Sequence, residues 1–243
     1  MLDGTGDEAG FMFGLSKTFL AAFAACVILF VAFPWIDLHV SSLFFSRDEG
    51  VFILREHPFP LMLYHAVPWA GRVVFVLLLV GLGVGFFAKK KLLGLGHKGF
   101  LYLLLAFLIG PLFLVNTLLK NHWGRARPYQ VEEFGGPMQF SPAFVIAGQK
   151  KSNGSWPSGH AAFGFYFVAA GLVVKRRRAL VMALACGFGA LLGLARMVQG
   201  KHFLSDVVSA FLVVYATARL LYYLMYERQG TPPAKNSLHA EGG

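Results

Sequence analysis

Trp156-Pro157-Ser158-Gly159-His160 is the stretch on which the fold turns. It sets a small polar cluster at the head of an apolar run, Ala161 to Val174. Pro157 suits the first turn of a helix, where its missing N–H costs nothing. Ser158 and Gly159 leave backbone N–H groups open there, and a helix start with open N–H groups accepts an anion. His160 stands beside them with a proton to give or take. The stretch therefore predicts a membrane helix, Pro157–Val174, whose first turn carries chemistry.

Two further polar groups flank it. Upstream lies Lys120-Asn-His-Trp-Gly-Arg-Ala-Arg127-Pro128, which reads K-x6-R-P. Downstream lies Arg196-Met-Val-Gln-Gly-Lys-His202-Phe-Leu-Ser-Asp206, which reads R-x5-H-x3-D. With P-S-G-H between them, the three resemble the signature of the type 2 phosphatidic acid phosphatase superfamily. That family includes integral-membrane lipid phosphatases, soluble acid phosphatases and vanadium haloperoxidases. The resemblance covers residues 95–225. One departure is visible: the third motif often begins Ser-Arg, and here Ala195 precedes Arg196.

Composition places the chain in a membrane. Of its 243 residues 56% are hydrophobic and 14% charged, with a mean hydropathy of +0.60. Long apolar runs of this kind mark a polytopic membrane protein. The net charge of +10 reads as cytoplasmic loops, not as nucleic-acid binding. Cys26 and Cys186 lie inside apolar runs and read as small buried hydrophobes, without a disulfide. The N-terminus lacks a basic n-region and a small-residue cleavage site, so its apolar run reads as an uncleaved first membrane helix.

The predicted fold class is all-α: a six-transmembrane-helix bundle with its active site at the non-cytoplasmic membrane edge. The spans are Leu15–Ile36, Val67–Phe87, Phe100–Leu119, Pro157–Val174, Ala179–Met197 and Phe203–Tyr226. Each is near the twenty residues that cross a hydrocarbon core of about 30 Å. Residues 15–226 form one membrane domain. A frayed cytoplasmic segment, 1–14, precedes it and a disordered cytoplasmic tail, 227–243, follows. Residues 37–66 read as a loop partly in the interface, and residues 132–151 as a roof over the site. Trp35, Trp69, Tyr102, Trp123, Trp156, Tyr222 and Tyr223 fit an aromatic belt. Short basic loops belong in the cytoplasm. The clusters Lys89-Lys90-Lys91 and Lys175-Arg176-Arg177-Arg178 therefore place both termini there and all three motifs on the opposite face. Lys120, Arg125, Arg127, Lys150, Lys151, Arg196 and Lys201 run against that bias, and an anionic substrate would account for them.

Breaking a phosphate ester needs neutralised oxygens, an in-line nucleophile and a proton for the leaving oxygen. Lys120, Arg127 and Arg196 supply fixed charge, and an arginine fork matches phosphate oxygens. Ser158 and Gly159 complete a cradle. His202 and Asp206, spaced i, i+4, stack on one face at the start of the sixth span, where the carboxylate can hold the imidazole. His160 is left as general acid. The resemblance implies the same roles: His202 attacks phosphorus to give a phosphohistidine, His160 protonates the departing oxygen, and water cleaves the intermediate. Arg125 and Lys201 read as solvated charges, and His122 and Trp123 are as readily idle as positioning. No His, Cys or carboxylate set has metal-ligand spacing, so neither metal nor cofactor is expected.

The expected partner is a phosphorylated membrane lipid, with lipid A 1-phosphate or a related lipid foremost. Phosphatidylglycerophosphate and undecaprenyl diphosphate are the alternatives. A lipid phosphotransferase is a rival enzyme, and a transporter or structural protein with a relic site a rival without catalysis. Intact His160, His202 and Asp206 argue against a relic. The expected location is a bacterial inner membrane, with the site facing the periplasm or exterior.

Overall fold

The computed structural model describes residues 14–149, 153–174 and 176–228. The expectations for segment 1–14, apart from Gly14, and for the tail beyond Arg228 fall outside these residues, as do Lys150, Lys151 and Lys175. Seven helices carry the chain: α1 (Lys17–Ala32), α2 (Trp35–Ser42), α3 (Pro58–Phe87), α4 (His97–His122), α5 (Gly159–Val173), α6 (Arg178–Met197) and α7 (Leu204–Glu227). A two-stranded antiparallel hairpin, β1 (Phe45–Ser46) with β2 (Val51–Phe52), lies between α2 and α3. The fold is helical, as expected, and the hairpin is the addition.

The count of six spans needs correcting. Among the described residues four helices are long and apolar enough to cross a membrane: α3, α4, α6 and α7. α1 and α2 make a fifth only as a pair bent by 80°. The bend has a local cause. Pro34 cannot continue a helix and pushes the residue before it out of the helical region; Phe33 sits at φ −125°, ψ 59°. α5 is the expected fourth span, but at 1.5 Å per residue it reaches only about 22 Å. It does not face lipid along its length: Ala161, Ala162, Val168 and Ala169 are fully buried.

α3 begins nine residues before the expected Val67. Pro58 opens it, and the His57 ring caps it by accepting a hydrogen bond from the Phe59 amide at 3.3 Å. Pro58 stands at the helix start and Pro68 is tolerated inside the helix. In α4, Pro111 removes a ladder donor, and the stretch Leu108–Leu119 is wound as a π-helix. Two carbonyls of this stretch accept from side chains five residues on: Asn116 Nδ2 donates to Pro111 O at 2.7 Å and Thr117 Oγ1 to Leu112 O at 3.0 Å.

Chain direction alternates from helix to helix, which gathers the three motifs at one end. Lys120 ends α4, Gly159 begins α5, Arg196 ends α6 and Asp206 opens α7. The opposite end gathers Lys91, His97, Arg178 and Tyr226. Gly14 lies against Tyr223, so α1 starts at that basic end and delivers Asp37 to the motif end. Two of the belt aromatics are core residues instead. Tyr102 donates its hydroxyl to Ala218 O at 3.0 Å, and Trp156 donates Nε1 to Ser209 Oγ at 2.8 Å, because a buried ring needs a partner for its polar atom. Cys26 and Cys186 are free thiols, each half-buried rather than buried.

α5 meets α6 backbone to backbone. A methyl group on Gly164 would stand 2.6 Å from Gly189 Cα, so the crossing needs glycine. Gly187, on the same helix as Gly189, faces open space. Gly164→Leu should therefore destabilise the detergent-solubilised protein by about 1–3 kcal/mol, while Gly187→Leu should leave its melting temperature in place. Equal melting temperatures for the two variants would refute the close crossing.

Candidate active site

The motif end is built around a buried arginine. Arg125, expected among solvated charges, is 0% exposed. A guanidinium leaves water only where acceptors replace the water, and Arg125 has four. Its Nη2 donates to Asp37 Oδ2 at 2.8 Å, its Nη1 to Asp206 Oδ1 at 2.6 Å and to Ser205 Oγ at 2.8 Å, and its Nε to Ser141 O at 2.9 Å. The ring of Phe203 lies 4.3 Å from the guanidinium carbon. Asp37 and Asp206 are fully buried too. No motif contains Asp37, and nothing in its own neighbourhood of the sequence distinguishes it from an interfacial charge.

His202 and Asp206 do meet, by a different route from the one expected. His202 precedes α7; Phe203 is the extended residue that caps it, and Asp206 sits in the first turn. Asp206 Oδ2 accepts the Phe203 amide at 2.8 Å, the usual service of a carboxylate at a helix start. The same oxygen stands 3.4 Å from His202 Nδ1. Gly200 makes the turn that leads into His202 with φ +66°, a conformation that side chains disfavour. His202 is 2% exposed. Burial, and then the charges of Lys120, Arg196 and Arg127 with His160, push its imidazole well below the usual range. It is neutral at pH 7, with Nε2 as its open nitrogen.

His160, in the first turn of α5, packs against α3. Its ring is stacked on Tyr64 of α3, with centroids 5.2 Å apart and planes at 23°, and its Nε2 lies 3.2 Å from Tyr64 O. Arg196 also lies over the Tyr64 ring, its guanidinium carbon 4.5 Å from the centroid. Arg196 also donates to Gln199 Oε1, and Gln199 Nε2 donates to Arg55 O at 3.3 Å. Arg127 donates to Asn153 Oδ1 at 3.1 Å. The Nε–H groups of Arg127 and Arg196 are buried and have no hydrogen-bond partner among the described residues. Lys120 is close enough that its charge acts on both histidines.

Three further expectations change. The Ser158 amide is not open: it donates to Asp206 O at 3.0 Å, and its hydroxyl caps α5 by accepting from Ala161 N at 3.5 Å. Gly159 and His160 keep the first amides of the helix, which have no intrahelical acceptor. Pro157 stands before the cap rather than in the first turn, joined to Trp156 by a cis peptide. Gly159 is also packed so tightly on Asn116 that a methyl group there would strike Asn116 Oδ1. Lys201 is not a solvated charge. It is half-buried with its ammonium 4.3 Å from the Tyr129 centroid, and Arg55 lies 4.7 Å from the same ring. Burial, then the charges of Arg55, Arg127 and Arg196, bring Lys201 down to about 8. Trp123 packs on Trp156, with ring centroids 4.1 Å apart. His122 turns away, its Nδ1 2.7 Å from Leu118 O.

The roof forms from both sides. Phe134 packs with Phe45 and Phe52 of the hairpin, and Phe140 with Phe203. Below His160 an apolar cleft of about 420 Å³ opens between α3 and α4, lined by Val67, Phe75, Phe107, Leu112 and Phe163, with Arg72 on its wall. Among the described residues no three His, Cys, Asp or Glu side chains are placed to hold a metal ion.

The depressed His202 has a measurable consequence. Its unfolded-state value is near 6.5 and its folded value is lower, so at pH 7 both states are neutral and the buried ring costs nothing in protons. As pH falls below about 6.5 the unfolded chain binds a proton that the folded one does not. Stability then drops, by at most about 1.4 kcal/mol per pH unit from this residue. Melting temperatures from pH 7 to pH 5 should fall faster for the natural protein than for His202→Gln; parallel curves would contradict a buried neutral imidazole.

Comparison with known proteins bears on the same residues. The family model described as the PAP2 superfamily matches residues 99–230, more than half of the chain and all three motifs. A protein named lipid A 4'-phosphatase from Francisella tularensis subsp. novicida is 35% identical over 209 residues, covering 83% of this chain and 91% of its own. A lipid A 1-phosphatase from Rhizobium etli is 34% identical over 133 residues, 50% of this chain and 53% of that one. In three dimensions the fold resembles the crystal structure of a transmembrane PAP2-type phosphatidylglycerolphosphate phosphatase from Bacillus subtilis, with a TM-score of 0.52 at 21% identity, over 88% of this chain and 97% of the other. With the family model, the long match and the shared fold in agreement, this chain belongs to the PAP2 superfamily and is a membrane phosphatase.

Proposed function

We propose that the protein removes the 4'-phosphate of lipid A, or of a closely related phosphorylated glycolipid, through a phosphohistidine on His202. The observation that carries it is the pair of buried Nε–H groups on Arg127 and Arg196, which have no hydrogen-bond partner among the described residues and belong to cations whose charges act on His202, with His160 lining an apolar cleft. A phosphate dianion supplies the acceptors those groups lack, and the cleft takes acyl chains from the bilayer. The position on the sugar rests on similarity: the 4'-phosphatase relative aligns over most of both chains, the 1-phosphatase over about half.

Each residue then has a role. Lys120, Arg127 and Arg196 hold the phosphate oxygens, with the Gly159 and His160 amides at the start of α5. Ser158 closes the cradle by capping the helix that presents them. Nδ1 of His202 is turned to Asp206, so Nε2 attacks phosphorus. A nitrogen–phosphorus bond forms as the bond to the sugar oxygen breaks, and that oxygen takes its proton from His160. Water then attacks the phosphohistidine, His160 takes a proton back, and phosphate and His202 are released. The protein's own groups supply every charge in the scheme, so neither metal nor cofactor is invoked. We place the site at the periplasmic edge of a bacterial inner membrane, because Lys89–Lys91 and Arg176–Arg178 lie at the other end.

Purified protein given lipid A should yield a product lacking the 4'-phosphate by mass spectrometry, with inorganic phosphate released. Label should be trapped on the natural protein and not on His202→Ala. Loss of the 1-phosphate would reverse the regiochemistry; label passed to a second lipid would make the protein a transferase; phosphatidylglycerophosphate as the sole substrate would remove lipid A from the assignment. Sidedness has its own test. In a background with Cys26 and Cys186 replaced by Ala, Glu133→Cys should react with an impermeant thiol reagent on spheroplasts and Lys90→Cys should not. The opposite pattern would put the site in the cytoplasm.

A further inference from the structure

Asp37 lies outside the three motifs and outside residues 99–230, yet it is one of the most completely buried charges in the protein. The bend at Pro34 delivers it, in the first turn of α2, to the far side of Arg125. Both its oxygens are used. Oδ2 accepts from Arg125 Nη2 at 2.8 Å and from Ser205 Oγ, and Oδ1 accepts from Ser205 N at 2.9 Å. Arg125 reaches Asp206 with its other arm, Nη1 to Oδ1. That leaves Asp206 Oδ2 for the Phe203 amide and His202 Nδ1.

The division of oxygens depends on Asp37. An arginine beside a single carboxylate tends to bind both of its oxygens with two parallel N–H groups. With Asp37 gone, the free arm of Arg125 has Asp206 as its nearest anion, and Oδ2 is drawn away from the histidine. Charge points the same way. With both carboxylates ionised, Asp37, Arg125 and Asp206 together carry one net negative charge behind His202, which suits an imidazole that becomes cationic as its Nε2 bonds to phosphorus. Arg125 and Asp206 alone would be neutral.

We propose that Asp37 is a positioning residue for His202: through Arg125 it reserves one oxygen of Asp206 for the imidazole. The proposal rests on His202 as the nucleophile. The experiment is a double-mutant cycle of Asp37→Asn and Asp206→Asn, read as kcat and KM on lipid A, with melting temperature and orthovanadate binding as checks on folding. Asp37→Asn should lower kcat about tenfold to a hundredfold, the scale of a misplaced catalytic group, with KM little changed. The double variant should be no slower than Asp206→Asn alone, since both act on one oxygen. A kcat for Asp37→Asn within about twofold of the natural value, or losses that multiply in the double variant, would overturn the proposal. Should Asp37→Asn fail to fold, Ser205→Ala takes its place in the cycle, because the Ser205 hydroxyl bonds both Asp37 and Arg125; multiplying losses overturn the proposal there too. Phosphohistidine trapping separates the two levels. Label on His202→Ala would remove the nucleophile itself, whereas label confined to His202 with multiplying losses would remove Asp37 alone.

Discussion

A guanidinium taken out of water has to be matched group for group, and Arg125 is matched by three distant parts of the chain. Asp37 comes from the first bent helix pair, Ser141 from the long loop, Ser205 and Asp206 from the start of the last helix. Removing one member of such a set strands a buried charge, at a cost of about 3–5 kcal/mol. The cluster therefore favours one arrangement of these segments over others. Apolar packing alone would not: lipid tails solvate leucine about as well as another helix does. In a bundle whose outer faces are interchangeable, polar matching selects the register at which Asp37 and Arg125 meet Asp206.

The opposite imbalance holds among the cations that act on His202. Lys120, Arg127 and Arg196 converge on His202, and burial, then the charges of Arg55, Arg127 and Arg196, bring Lys201 down to about 8. Glu56 acts on Lys201 in the opposite direction. The protein thus keeps two adjacent compartments. Behind His202 the charges are balanced to a net negative, and in front of it they are left positive. A phosphate dianion in the positive compartment relieves a repulsion that folding has to tolerate without it. Like-charge crowding of this kind is spent usefully only where a ligand completes it.

The motifs are legible in the sequence because the residues that touch phosphate must be of fixed type at fixed spacing. The helices are legible because apolar length is set by bilayer thickness. What stays hidden depends on tertiary partners. Arg125 sits two residues from Arg127 with the same charge, and only the approach of Asp37 and Asp206 tells a buried hub from a solvated one. Tyr64 and Asp37 fall in residues 37–66, where charges and prolines interrupt the apolar period, so a loop is the natural expectation. The 80° bend and the helix start at Pro58 turn that stretch into one wall of the site. The count of six spans fails at α5 for a related reason. An apolar segment buried on all sides has no bilayer thickness to match, so hydropathy reports its composition but not its length.

Burial also separates the two histidines without reference to any family. His202 is enclosed, held from behind by Asp206, and has only Nε2 free. His160 lies at the mouth of the apolar cleft, stacked on Tyr64. In-line displacement puts the attacking and departing atoms on opposite sides of phosphorus. A substrate anchored by acyl chains in that cleft keeps its sugar oxygen on the cleft side, next to His160, and turns its phosphorus towards His202. A nucleophile at His160 would have to approach through the volume that the lipid fills. A proton donor at His202 would face away from the oxygen that needs the proton. On the proposed function, the membrane's own geometry therefore favours His202 as nucleophile and His160 as acid, because the hydrophobic part of the substrate can occupy only one side of the site.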